Sequence, residues 1–168
     1  MDLVVIVEPS DGDYPGHMVV GQEGESSARF FGFHLDLESL PAETRAPEHW
    51  QDYLYRHKVL GEIQDESEYV RGIRRQKPSL IYEKRAISAV SIDSLMPPPA
   101  AWKHWAHYSF RPDDFHTDAA PCYNCVTWAA MIANTLVRGF ITPVRQGQIK
   151  LIVRQLKDAA RKKGAKDG

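Results

Sequence analysis

The chain has 168 residues, 43% of them hydrophobic, with 21 Lys and Arg against 22 Asp and Glu. That length and balance fit one domain with a core of its own and exclude a disordered chain, a collagen-like fibre and a coiled coil. A net charge of −1 leaves no overall field for nucleic acid. No apolar stretch nears the ~18 residues of a membrane span. Asp2 and the short run Leu3–Val7 do not make a signal peptide, so the expectation is a chain made in the cytoplasm, with any export left to a dedicated, signal-peptide-independent system. Cys122 and Cys125 stand too close together to form a disulfide framework.

In chain order, LVVIV at 3–7 reads as a buried strand and SDGDYPG at 10–16 as turn chemistry. His17–Val20 and Arg29–Leu37 are two more extended runs, joined through the Gly/Ser/Glu-rich GQEGESSA, so the first third predicts an antiparallel meander. The segment 38–77, broken by Pro41 and Pro47, reads as an insertion over the sheet. It holds a short amphipathic helix over His49–Leu60 with Trp50, Leu54 and His57 on one side. Ser79–Ile92 suits one or two strands, followed by a helix at Ala100–His107 and a short strand at Tyr108–Phe110. Cys125–Val137 is the clearest helix, stopped by Arg138-Gly139. A last helix is predicted from Gln146 to Arg161, then a frayed tail at 162–168. The fold class is α+β: a single domain over 1–168 with an antiparallel sheet packed against the Cys125 helix.

The strongest chemical signal is Pro121-Cys122-Tyr123-Asn124-Cys125-Val126-Thr127-Trp128-Ala129. Asn124 is a good N-cap and places Cys125 at the first helical position. Unpaired N–H groups and the helix dipole there favour a thiolate, and the same N–H groups suit an oxyanion. A cysteine nucleophile needs a base. His17 and His34 would face each other across a hairpin turning between Glu25 and Ser26, one as base and the other orienting it, with Asp36 as the alternative orienting group.

Other readings stay open on the residues alone. Cys122-x-x-Cys125 could be a redox pair, although no parallel strand is evident before it. The two cysteines with His104, His107 and His116 could bind zinc, and Cys125 could be an inert core thiol. Trp102, Trp105 and Trp128 with Tyr108 and Phe110 read as core or as the lining of an apolar groove. The bases Lys157, Arg161, Lys162, Lys163 and Lys166 read as a solvated helix end or a weak anionic-surface contact.

The order of these features resembles the circularly permuted papain-like (permuted NlpC/P60) hydrolases, the group that includes the lecithin:retinol acyltransferase-like enzymes. The matching residues are Gly16-His17-Met18-Val19-Val20, a second strand bearing His34, RAISAVSI, Tyr108-Ser109-Phe110, YNCVTWA at 123–129 and Pro143…Gly147-x-Ile149. The resemblance implies Cys125 as nucleophile, His17 as general base and His34 as third polar group, with no metal or organic cofactor. The acyltransferase branch usually follows its Asn-Cys with Glu-His, where this chain has Val126-Thr127-Trp128. The Asn-Cys-Val-Thr sequence is similar to that of bacterial toxin and effector domains. The expected function is thus a phospholipase-type acyl hydrolase acting on membrane lipid esters, with an immunity protein as partner. An amidase or peptidase of the same fold, acting on peptidoglycan or protein, is the alternative, and a non-catalytic binding or CxxC redox module is the alternative from another class.

Overall fold

A computed structural model describes residues 1–8, 16–76, 80–86 and 90–141. The helix predicted at 146–161, the tail at 162–168, the Pro143…Ile149 segment and most of the turn at 10–16 lie outside the described residues. The described strands are β1 (Asp2–Glu8), β2 (His17–Glu23), β3 (Ala28–Leu35), β4 (Val59–Asp65), β5 (Ile81–Ala86), β6 (Lys103–Tyr108) and β7 (Cys122–Tyr123). The described helices are α1 (Pro47–Arg56), α2 (Ser67–Gln76) and α3 (Cys125–Leu136). The strands form one sheet in the order β5-β1-β2-β3-β4-β6-β7, antiparallel except for the parallel β6–β7 pair. The fold is α+β.

β1 explains why the sheet is covered on both faces. Along LVVIV, Leu3, Val5 and Val7 enter a core shared with Val126, Ala129 and Ala133 of α3, whereas Val4 and Ile6 enter a second core with Val70 and Ile73 of α2. A continuous β-branched run is what a strand buried on both sides requires. β2 and β3 form the predicted hairpin. Their ladder runs from Glu23↔Ala28 to Val20↔Phe31, with Gly24 N–H donating to the Ser27 carbonyl at 2.8 Å in the turn. Beyond that point the two strands hold to different neighbours: β2 stays paired with β1 down to His17, and β3 with β4 as far as Leu35.

Two expectations are corrected. The 38–77 segment is not only an insertion over the sheet: α2 does pack on one face, but residues 59–65 join the sheet itself as β4, between β3 and β6. Its inward positions are Val59, Gly61 and Ile63, so one of three is a glycine and the apolar alternation is faint in the sequence. Residues 103–108 form a strand, not a helix, with Ala106 and Tyr108 turned inward at strand spacing. Only a 3₁₀ turn at Pro99–Ala101 precedes it.

Gly61 is fixed by packing. A Cβ there would overlap the Phe33 ring and lie 3.1 Å from the Ala106 carbonyl oxygen. Phe33 in turn stacks on Tyr108 and Trp128 at centroid distances of 5.7 and 6.0 Å. Gly61→Ala is therefore expected to destabilise the protein by about 1–3 kcal/mol through overpacking. A lowered urea midpoint with unchanged slope would report it.

Candidate active site

Cys125 is the first residue of α3, and Asn124 is its N-cap. The Asn124 Oδ1 accepts from the N–H groups of Val126 (3.0 Å) and Thr127 (2.8 Å), while the Thr127 hydroxyl accepts from the Asn124 N–H at 2.9 Å. This capping box holds the first turn rigid. It also occupies the amides of Val126 and Thr127, two of the groups that the sequence suggested for an oxyanion. Gly139 ends the helix region with φ +72, as its position predicts.

His17, at the start of β2, lines the same cleft as Cys125, and its interaction with that side chain is one of the causes that raise its pKa. Its ring centroid lies 4.6 Å from that of His34, so the hairpin brings the two histidines together as the sequence arithmetic requires. They do not bond each other. Between them stands a residue that the sequence reading passed over: Glu66, in the connection from β4 to α2. Its Oε2 lies 2.9 Å from His17 Nε2 and its Oε1 lies 2.6 Å from His34 Nε2. With Nε2 committed to Glu66, Nδ1 is the His17 nitrogen left for the thiol. Asp36, the alternative orienting group, is engaged elsewhere: its Oδ2 is 2.7 Å from His104 Nε2, and that hydrogen bond holds Asp36 below the usual carboxylate range.

Local structure fixes Glu66. Its N–H donates to the Phe30 carbonyl at 2.8 Å, its carbonyl accepts from the Val70 N–H at 2.9 Å, and Phe30 N–H donates to Ser67 Oγ at 3.1 Å. The backbone of Glu66 thus lies beside Phe30, and the side chain reaches along β3 over Gly32. A Cβ at Gly32 would overlap the Glu66 carboxylate and stand 3.2 Å from His17 Nε2.

Electrostatics follow from burial and partners. Burial alone would lower the His17 pKa, but hydrogen bonds to Cys125 and Glu66 outweigh it and raise the value to about 10. Burial alone would raise Glu66, and hydrogen bonds from His17 and His34 bring it to about 2. At neutral pH the pair is an imidazolium and a carboxylate. Cys122 differs from Cys125: it sits within β7, 2% exposed, and burial pushes its thiol up to about 11. β7 does run parallel to β6 ahead of α3, but Cys122 lies inside the strand with no helix terminus behind its sulfur. Both cysteines are free thiols.

Cys125, His17, His34 and Glu66 open on a cleft of about 820 Å³. Leu35, Leu37, Trp50, Tyr108 and Phe110 share its lining with Asp36, Glu38, Glu62 and Asp65. The aromatic readings therefore divide: Trp128 is buried core, while Tyr108 and Phe110 reach the groove. The zinc set suggested by sequence does not assemble, because His104 is bound to Asp36 and His116 Nδ1 accepts from the Cys122 N–H at 3.1 Å. Among the described residues, the side chains grouped closely enough to hold a metal ion are His17, His34 and Glu66. Among the described residues, too, no helix is long and apolar enough to cross a membrane.

No protein-family model matches this chain, and neither a curated protein nor a solved structure matches it. What the fold and the cleft define is a class: an α+β protein that gathers a helix-terminal cysteine, two strand histidines and a buried carboxylate in one cleft.

Iodoacetamide applied to the native chain at neutral pH is expected to label Cys125 at least about tenfold faster than Cys122, since burial keeps Cys122 protonated and enclosed. Peptide mapping by mass spectrometry reads the ratio, and His17→Ala should collapse it.

Proposed function

We propose that this chain is a cysteine-dependent acyl hydrolase of the permuted papain-like type, using Cys125, His17 and Glu66, and acting first on lipid esters. The observation that carries this reading is the company of side chains in one open cleft: a helix-terminal thiol, and an imidazole that a buried carboxylate grips. The family reading gains support from α3 packing against β2 and β3, the strands that bear the two histidines. An effector role, an immunity partner and a signal-peptide-independent export route rest on the resemblance.

In this scheme His17 is the imidazolium, and Cys125 Sγ, its proton already on His17, attacks the carbonyl carbon. The amide of Cys125 faces the resulting oxyanion, those of Val126 and Thr127 being taken by the cap. The intermediate collapses to a thioester, and the alcohol leaves with the proton from His17. Water then attacks the thioester, giving a proton to the now neutral His17, and the acid departs as Cys125 is released as the thiolate beside the imidazolium. Glu66 keeps His17 turned toward the sulfur. His34 is a positioning residue that acts by anchoring Glu66, in place of the direct role expected from sequence. No metal or organic cofactor enters the scheme.

The apolar side chains of the cleft favour an acyl chain, and its carboxylates disfavour an anionic headgroup. Phosphatidylcholine vesicles are therefore expected to release fatty acid faster than phosphatidylglycerol vesicles of equal acyl composition. Cys125→Ala should abolish release, and His17→Ala should lower it by about 10²–10⁴-fold. The same carboxylates also suit a substrate amine, which keeps the amide reading as the second one. Intact vesicles together with cleavage of peptidoglycan or a peptide would establish that reading and overturn the lipid one.

Gly32 supplies a test of Glu66. Gly32→Ala should drive the carboxylate off His17 and cost activity about as much as Glu66→Gln. The double variant Gly32→Ala/Glu66→Asp, whose carboxylate is one methylene shorter, should recover part of it. A well-folded double variant with no recovery, judged by its thermal melt, would count against this role.

A further inference from the structure

We propose that His17, His34 and Glu66 form a binding site for a divalent transition-metal ion of the zinc class, and that an ion seated there silences Cys125. This goes beyond the hydrolase reading and does not need it, because metal binding is measured without turnover.

The donor set is the first argument. Two imidazole nitrogens and one carboxylate are a ligand set on which zinc is held with a fourth position open. The three ligand atoms lie within 4.8 Å of one another. In a tetrahedral zinc site with bonds near 2.1 Å, neighbouring ligand atoms stand about 3.4 Å apart. The carboxylate oxygens already lie 2.9 and 2.6 Å from the two nitrogens, and the nitrogens stand within 4.8 Å of each other, so small side-chain adjustments would seat the ion.

The surroundings are the second argument. Among the described residues the Glu66 carboxylate is held by imidazoles rather than by a lysine or arginine. The cluster also opens on a cleft whose lining sets Asp36, Glu38, Glu62 and Asp65 against Lys103, a negative balance that concentrates a dication. Binding needs no redox partner. The ion takes the place of the protons shared between the imidazoles and Glu66, and these leave to solvent.

Silencing follows from the nitrogen used. A neutral imidazole ligated through Nε2 carries its one remaining proton on Nδ1. His17 would then keep that single proton on Nδ1 and could neither hold the thiol proton nor hand one to the leaving alcohol. Glu66 would also be drawn from its orienting role onto the ion. The zinc-bound chain is thus expected to hold an intact Cys125 without a base.

Equilibrium dialysis of the full chain against Zn²⁺ tests the site. One ion per chain is expected for the wild type and for Cys125→Ser. His34→Gln and Glu66→Gln should weaken binding by at least about tenfold, and His104→Ala should leave it unchanged. A second measurement needs no variant at the site. Zn²⁺ should protect His34 from diethylpyrocarbonate, read by peptide mapping, while the exposed His49 and His57 stay reactive. No retained zinc would overturn the proposal, as would undiminished binding by well-folded His34→Gln and Glu66→Gln, or unprotected His34. Zinc bound by Cys125→Ser with no hydrolase activity from the wild type would leave the site standing and sink the enzyme reading. Activity that zinc does not touch, in a chain that retains no zinc, would do the reverse.

Discussion

A single carboxylate, shut away from water and divided between two imidazoles, sets the terms for the rest of this structure. Glu66 has a side chain only 7% exposed. Taking a carboxylate that far out of water costs several kcal/mol unless charged or polar partners replace the lost hydration. His17 and His34 are those partners, one on each oxygen. The demand passes outward from there. The backbone of Glu66 is stitched to Phe30, α2 begins directly after it with Ser67 bonded back to β3, and Gly32 has no side chain because the carboxylate occupies that space. A buried ion is weak evidence for stability, since an apolar substitute of the same shape often packs as well. Its presence where a thiol and an open cleft converge points to chemistry.

The two thiols show how much local placement matters. Three residues apart, they share composition and neighbourhood, yet one belongs to a strand and the other to a helix terminus. Cys122 is enclosed by β6 and the His116 segment, and burial suppresses its ionisation. Cys125 meets the end of the hairpin, where His17 bears a positive charge sustained by Glu66. A CxxC spacing in the sequence is symmetric; the structure divides it into a core sulfur and a sulfur at the cleft.

Those parts of the fold written in short-range patterns were legible in the chain. LVVIV announced a buried strand, Asn124 announced the cap of α3, and the positions of His17 and His34 announced a hairpin turning between Glu25 and Ser26. What was not legible depended on partners distant in sequence. β4 hides because Gly61 faces inward, and Gly61 makes sense only once the Phe33 ring is seen against it. Residues 103–108 read as helix because Ala101, Trp102 and Ala106 suit one, yet pairing with β4 overrides that preference. Glu66 was hidden in the acidic run Gln64-Asp65-Glu66-Ser67-Glu68, where every side chain looked like a solvated surface. The missed strand was the missing signal: once Val59–Ile63 is read as extended, its next turn delivers Glu66 to the edge of β3. Glu66 therefore could not be found while β4 was absent from the reading.

Why the chemistry should sit at the foot of β2 and β3 follows from the sheet itself. Alternation puts His17 and His34 on the face that carries Val19 and Phe30 and packs on α2, whereas Cys125 belongs to the core on the opposite face. In a continuous sheet the backbone would separate them. Past Val20 and Phe31 the two strands no longer pair with each other but stay bound to β1 and β4. This opened seam is where a side chain from one face can touch a side chain from the other. It can persist only because both flanking ladders continue to hold the strands, β1–β2 to His17 and β3–β4 to Leu35. The seven-stranded sheet is thus more than a platform for the site: its outer pairs keep the central pair apart, and the gap lets a thiol, an imidazole and a carboxylate meet.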